Sequence, residues 1–155
     1  MKNGWKRFGQ RIFSWLLCVA LVVGLMPEME MPRVKAATSE NDIVWNDTDG
    51  RYEIKSYAGL KEFADIVNGT GKYAGNANMN AKAILMEDID ASASANYETN
   101  PDNAWTPIGS PYSPYYGTFY GNNHVILNLT IYQPSTDDVG LFGYLGEVAL
   151  VQNVG

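Results

Sequence analysis

The 155-residue sequence predicts a mainly β protein, a parallel β-helical solenoid opened by one N-terminal capping helix. Three observations predict it. A single segment carries apolar residues at helical spacing, and everything after it breaks into short β-branched and aromatic runs. The last two of these runs echo one another. An antiparallel β-sandwich, whose hairpins merely look alike, is the alternative fold.

The first element is a leader, residues 1–36. Lys2, Lys6, Arg7 and Arg11 precede residues 12–26, an uncharged run of 15 residues. A bilayer-spanning helix needs about 20 apolar residues, so this run suits the core of a signal peptide. Pro27 breaks it, and Val34-Lys35-Ala36 offers small residues for cleavage after Ala36. An uncleaved anchor is the alternative. The protein is therefore expected outside the cell, secreted or on its surface.

Charge follows from that cut. Residues 1–36 hold six of the eleven Lys+Arg and two of the seventeen acids. The remaining 119 residues carry five bases against fifteen acids, a net charge near −10. That balance argues against nucleic acid or an anionic membrane as partner, since both require clustered Lys and Arg. The single cysteine, Cys18, lies in the leader, which excludes disulfides, cysteine metal sites and a cysteine nucleophile from the mature chain.

Residues 37–51 read as a polar lead-in ending in the turn cluster Asn46-Asp47-Thr48-Asp49-Gly50. One domain fills residues 52–155. It opens on a short strand, Tyr52-Glu53-Ile54. Ser56 then serves as N-cap to a helix whose Leu60, Phe63, Ala64 and Val67 recur at i, i+3, i+4 and i+7. Asn68-Gly69 supplies the left-handed stop. Residues 69–81 are loop, residues 82–89 a strand, and residues 91–104 loop again. Trp105-Thr106-Pro107-Ile108-Gly109 is a compact apolar knot before the Pro/Tyr loop SPYSPYY. Short strands follow, with turns at Gly121-Asn122-Asn123, at residues 134–138 and at Gly146.

Shifting the chain by about 25 residues lays Gly121 on Gly146, Ile126 on Val151 and Asn128 on Asn153. In a β-helix, equivalent positions stack about 4.8 Å apart. Asn128 and Asn153 are then expected as a structural ladder at a corner, because Asn tolerates left-handed backbone and bonds locally. Val125, Leu127, Leu129 and Ile131 alternate as in a half-buried strand. If Asn128 bends the chain, Ile126, Leu129 and Ile131 face inward instead.

The ordered series Leu60…Phe63-Ala64…Val67-Asn68, Ile84…Asp88-Ile89-Asp90, Trp105-Thr106-Pro107-Ile108-Gly109, Gly117-Thr118-Phe119-Tyr120-Gly121-Asn122, His124…Asn128-Leu129-Thr130-Ile131, Val139-Gly140-Leu141-Phe142-Gly143 and Asn153-Val154-Gly155 resembles the start of the GLUG-type repeat proteins. The resemblance runs from about residue 52 to Gly155. It implies a bacterial, exported or surface-displayed protein, with a helical cap and the first coils of a right-handed parallel β-helix. It also implies an adhesin-like setting or the neighbourhood of a peptidase domain, and carries no catalytic residues. Two or three coils are expected here, with a further one where the chain stops, so the reading frame is taken as a truncated or interrupted one.

Candidate chemistry is sparse. His124 is the only histidine and is read as a turn residue, its nearest sequence carboxylates being Asp137 and Asp138. Glu87, Asp88 and Asp90 form the densest acidic cluster but lack a calcium-loop pattern, and the cluster is read as a strand end with Asp88 or Asp90 bonding turn amides around Trp105. The single Lys82 in the β-region counts against lyase chemistry. Trp105 and Phe119 are assigned to packing. Tyr112, Tyr115 and Tyr116 on the Pro-rich loop are the candidate ligand contacts, because exposed aromatics stack on sugar faces and anchor interfaces. The sequence thus predicts a non-enzymatic adhesion or presentation module for a host or environmental glycan or protein. No cofactor, metal or nucleic acid is expected, and no membrane after leader removal. The alternative is an accessory N-terminal region of a carbohydrate-active enzyme or surface peptidase.

Overall fold

A computed structural model describes residues 41–155. The leader of residues 1–36 and its cleavage at Ala36 lie outside the described residues. The described chain is mainly β with one α-helix. In order come β1 (Ile43–Asn46), β2 (Arg51–Ile54), α1 (Tyr57–Asn68), β3 (Ala83–Leu85), β4 (Ile89–Asp90), β5 (Thr118–Tyr120), β6 (Ile126–Leu127) and β7 (Leu150–Gln152). Short 3₁₀ turns at Gly71–Tyr73, Ser92–Asn96 and Pro101–Asn103 shape the connections.

Two sheets result. The larger is mixed, in the order β1-β2-β3-β5-β7, and β4 pairs with β6 in the smaller. Only β1 and β2 run antiparallel; every later strand pair is parallel. Successive strands cannot pair in parallel across a tight turn, so long loops must carry the chain back each time. In register, Tyr52, Ala83, Phe119 and Val151 form one lateral row across β2, β3, β5 and β7.

The helix forms as its spacing dictates. Ser56 Oγ accepts from the Gly59 amide at 3.1 Å, and Gly69 closes the helix at φ 66°. Leu60, Phe63, Ala64 and Val67 are all buried, together with Tyr57 and Ile66. Phe63 is the hub of the core. Its ring lies 6.0 Å from Tyr52, 6.0 Å from Phe119 and 6.1 Å from Tyr115. Asn68, at the helix end, donates to Pro107 O and accepts from the Gly109 amide, both at 2.9 Å. That two-armed bond pins the apolar knot to the helix. Trp105 is buried there, and its indole N–H donates to Gly140 O at 3.0 Å.

Four expectations change. The lead-in is structured from Ile43 onward: β1 and β2 form a hairpin around the Asn46–Gly50 turn, where Asn46 Oδ1 accepts the amides of Thr48 and Asp49. The strand expected over residues 82–89 is two strands, because Met86, Glu87 and Asp88 are all exposed and the chain bends there to bury Ile89. The offset of about 25 residues is not the register: Phe119 lies opposite Val151, 32 positions on. The two glycines that suggested 25 do different jobs. A Cβ on Gly121 would lie 2.3 Å from Asn153 O, whereas one on Gly146 would meet the Tyr116 ring at 2.0 Å.

The fourth correction follows from the third. Asn128 and Asn153 do not stack on each other. Both adopt left-handed backbone, at φ 59° and 54°. However, Asn153 ends the face of β5 and β7, accepting the Asn123 amide at 2.9 Å, while Asn128 follows β6 and donates to Asp90 at 3.1 Å. The bend at Asn128 leaves Leu127 exposed and turns Ile126, Leu129 and Ile131 toward the core.

Candidate functional site

The Pro/Tyr loop is a tight, self-bonded turn. Ser110 and Ser113 exchange backbone hydrogen bonds of 3.0 and 3.1 Å, and Ser110 Oγ also accepts the Ser113 amide. This lifts Tyr112 to the tip, where it is 96% exposed. Tyr115 and Tyr116 then point opposite ways, as neighbours on an extended chain must. Tyr115 is fully buried, so its assignment as a surface contact is corrected. Its hydroxyl donates to Ala81 O at 2.9 Å and its ring stacks on Phe142 at 5.7 Å. Burial pushes its phenol pKa up. Tyr116 is partly exposed and lies over Gly146, tying the loop to the turn at Gly146. Of the three tyrosines, two remain available to a ligand.

The lone histidine is not where sequence neighbours placed it. Asp88 Oδ1 lies 3.0 Å from His124 Nδ1 and accepts the Val125 amide at 3.1 Å. Asp90 accepts from Asn128 and from the Ser92 amide. Asp88 is held below the usual carboxylate range chiefly by the Val125 N–H and then by His124, and Asp90 by the Asn128 amide and the Ser92 N–H. Both carboxylates do bond turn amides, but at the β6 corner and the Ser92 turn, not around Trp105. Sequence reasoning missed the His124 partner because the parallel register of Ile89 with Ile126 was hidden by the wrong offset. Beside these corners Ser94 is the one buried polar residue among the described ones. Its hydroxyl donates to Ala91 O at 2.6 Å and accepts the Thr130 amide at 2.7 Å.

Two surface depressions accompany these features. A groove of about 690 Å³ follows α1, lined by Tyr57, Lys61, Asp65, Tyr73, Asp90 and Asp102 among others. Its polar groups largely serve one another: Lys61 donates to the Asp102 carbonyl, Tyr57 to Asn103 O at 2.8 Å, and Tyr73 to Glu62 at 2.7 Å. Burial pushes the Tyr57 phenol up to about 12 and draws the Lys61 ammonium down. The second depression, about 400 Å³, lies on the outer side of the larger sheet and includes Arg51, Lys82, Thr118 and Tyr120. Among the described residues no three His, Cys, Asp or Glu side chains gather as a metal site. No described helix is long and apolar enough to cross a membrane.

No protein-family model matches the chain, and no solved structure does. It is similar to Halomucin of Haloquadratum walsbyi, 31% identical over 107 residues that make up 68% of this chain and 1% of Halomucin. It is also similar to Vanin-like protein 1 of Drosophila melanogaster, 27% identical over 137 residues, 79% of this chain and 24% of that protein. The chain therefore spans a small part of the length of either relative.

Proposed function

We propose that this chain is the capped start of a right-handed parallel β-helix on an exported bacterial surface protein of the GLUG-type kind. In this reading it works in adhesion or presentation, without catalysis, and offers a glycan or a protein ligand its exposed surface. The observation that carries the reading is the lateral row of Tyr52, Ala83, Phe119 and Val151, which puts the same inward position on four strands, three of them reached by loops of solenoid length. The short span within Halomucin fits a module used inside a far longer polypeptide. Tyr112, on a turn held by its own backbone, is the rigid aromatic that a surface-binding role would use.

Two measurements test this. Cysteines placed at Thr118 and Leu150, in a Cys18→Ser background, should form an intrachain disulfide on mild oxidation, since laterally paired Cα atoms lie within disulfide reach. A pair at Ile126 and Val151 should not. The reverse outcome would remove the stacked architecture. For location, Tyr112→Cys in the same background should react with a membrane-impermeant maleimide on intact cells or in the medium. Labelling only after lysis would overturn export.

A further inference from the structure

The outer side of the larger sheet carries an arrangement that packing does not explain. The register of Tyr52 with Ala83 sets Arg51 and Lys82 side by side on neighbouring parallel strands. Like charges abreast in a sheet repel. Yet two of the five bases after the leader stand here, in an otherwise acidic chain. Asp49 pairs with Arg51 at 2.8 Å, so it offsets one of the two charges. Among the described residues the Lys82 ammonium has no hydrogen-bond or ion-pair partner, and the Arg51 Nε is buried without an acceptor.

The rest of the depression is equally particular. Asp49 at the hairpin turn, Ala83 on β3, Thr118 and Tyr120 on β5, and Gln152 and Asn153 at the end of β7 complete its lining. Tyr120 lies opposite Gln152 in register, so an aromatic ring stands beside an amide. A hydroxyl and two amides can donate to and accept from vicinal hydroxyls, and the ring offers an apolar face. Three interstrand steps from β2 to β7 span roughly 14 Å, and a volume of about 400 Å³ holds one or two sugar rings.

We propose that this depression binds a carboxylated saccharide. Its carboxylate sits between the Lys82 ammonium and the Arg51 guanidinium, and its hydroxyls meet Thr118, Gln152 and Asn153. The site deepens the glycan-binding role proposed above. The cysteine-pair test reads architecture alone, so the two ideas fail separately.

Titration calorimetry on the full chain, with trigalacturonate as probe, tests the site. Galactotriose serves as the neutral counterpart and sodium acetate as the bare carboxylate. Saturable binding of the uronate is expected, weakening with added salt. Galactotriose should bind about tenfold or more weakly, because the charge-assisted contact is missing. Lys82→Met, which keeps the stem and removes the charge, should weaken the uronate by a similar factor, and Lys82→Arg should restore it. Lys82 is exposed, so neither change threatens the fold. Absence of saturable uronate binding would overturn the proposal. So would equal binding of galactotriose, affinity unmoved by Lys82→Met, or acetate binding as tightly as the uronate.

Discussion

Residues 52–121 and residues 122–155 use the same materials and end in different states. Every buried core residue lies at or before Phe119, and after Gly121 no described residue is buried. Nor is composition the cause. Ile126, Leu129, Ile131, Leu141, Phe142, Val151 and Val154 are as apolar as anything in the core, and all pack against it while remaining half exposed. Position decides. β3 has a neighbour on each side and is buried along its whole length, whereas β7 has β5 on one side only and is buried nowhere. Burial in this sheet therefore follows how many strands flank a residue, more than what the residue is.

This contrast can be broken or sharpened by substitution. The largest effect belongs to Phe63→Ala, which empties the point where Tyr52, Tyr115 and Phe119 meet. It should cost about 3–5 kcal/mol and abolish the cooperative urea transition at room temperature. Next comes Ser94→Ala, which leaves the Thr130 amide without its acceptor and should cost about 1–3 kcal/mol, read as a lower urea midpoint at unchanged slope. Val151→Ala removes a half-exposed side chain from the same lateral row as Phe119 and should cost about 1 kcal/mol. If Val151→Ala matched Phe63→Ala, the two regions would not differ as described.

Acid gives the smallest effect. Asp88 and Asp90 have folded pKa values below their unfolded ones, so their contribution is present above the ordinary carboxylate range. It is lost as the pH falls through the lowered values, below about pH 4. Amide exchange should then rise first at Val125 and Ser92, whose N–H groups these carboxylates hold. Protection that stayed constant at both amides would show that the carboxylates do not fasten these corners.

The elements set by local chemistry were readable in advance, and those set by distant pairing were not. Ser56, the Leu60-to-Val67 stripe and Gly69 define α1 within one stretch of chain, and α1 is found where they put it. The left-handed bend at Asn128 was likewise legible, because Asn itself favours it. By contrast, stacking offset depends on how much chain each loop absorbs, and loop length leaves no periodic mark. Gly121 and Gly146 looked equivalent because both must lack a side chain, though one faces backbone and the other a tyrosine ring. The same hidden offset concealed Asp88 as the partner of His124. Alternation would have separated Tyr115 from Tyr116, had residues 115–120 been read as extended from the start. The Arg51–Lys82 adjacency needed the register of β2 on β3, which no local signal encodes.

The hairpin and α1 are made by contacts close in sequence, while β3, β5 and β7 each wait for a partner roughly thirty residues away. Contacts that close long loops are slow to form, and those that close short ones are fast. Order of appearance in time should therefore follow order along the chain: a quick N-terminal seed, then strands added one by one onto its growing edge. A lesion in the seed would stall everything after it, whereas one in β7 would leave the earlier steps to run at their normal pace.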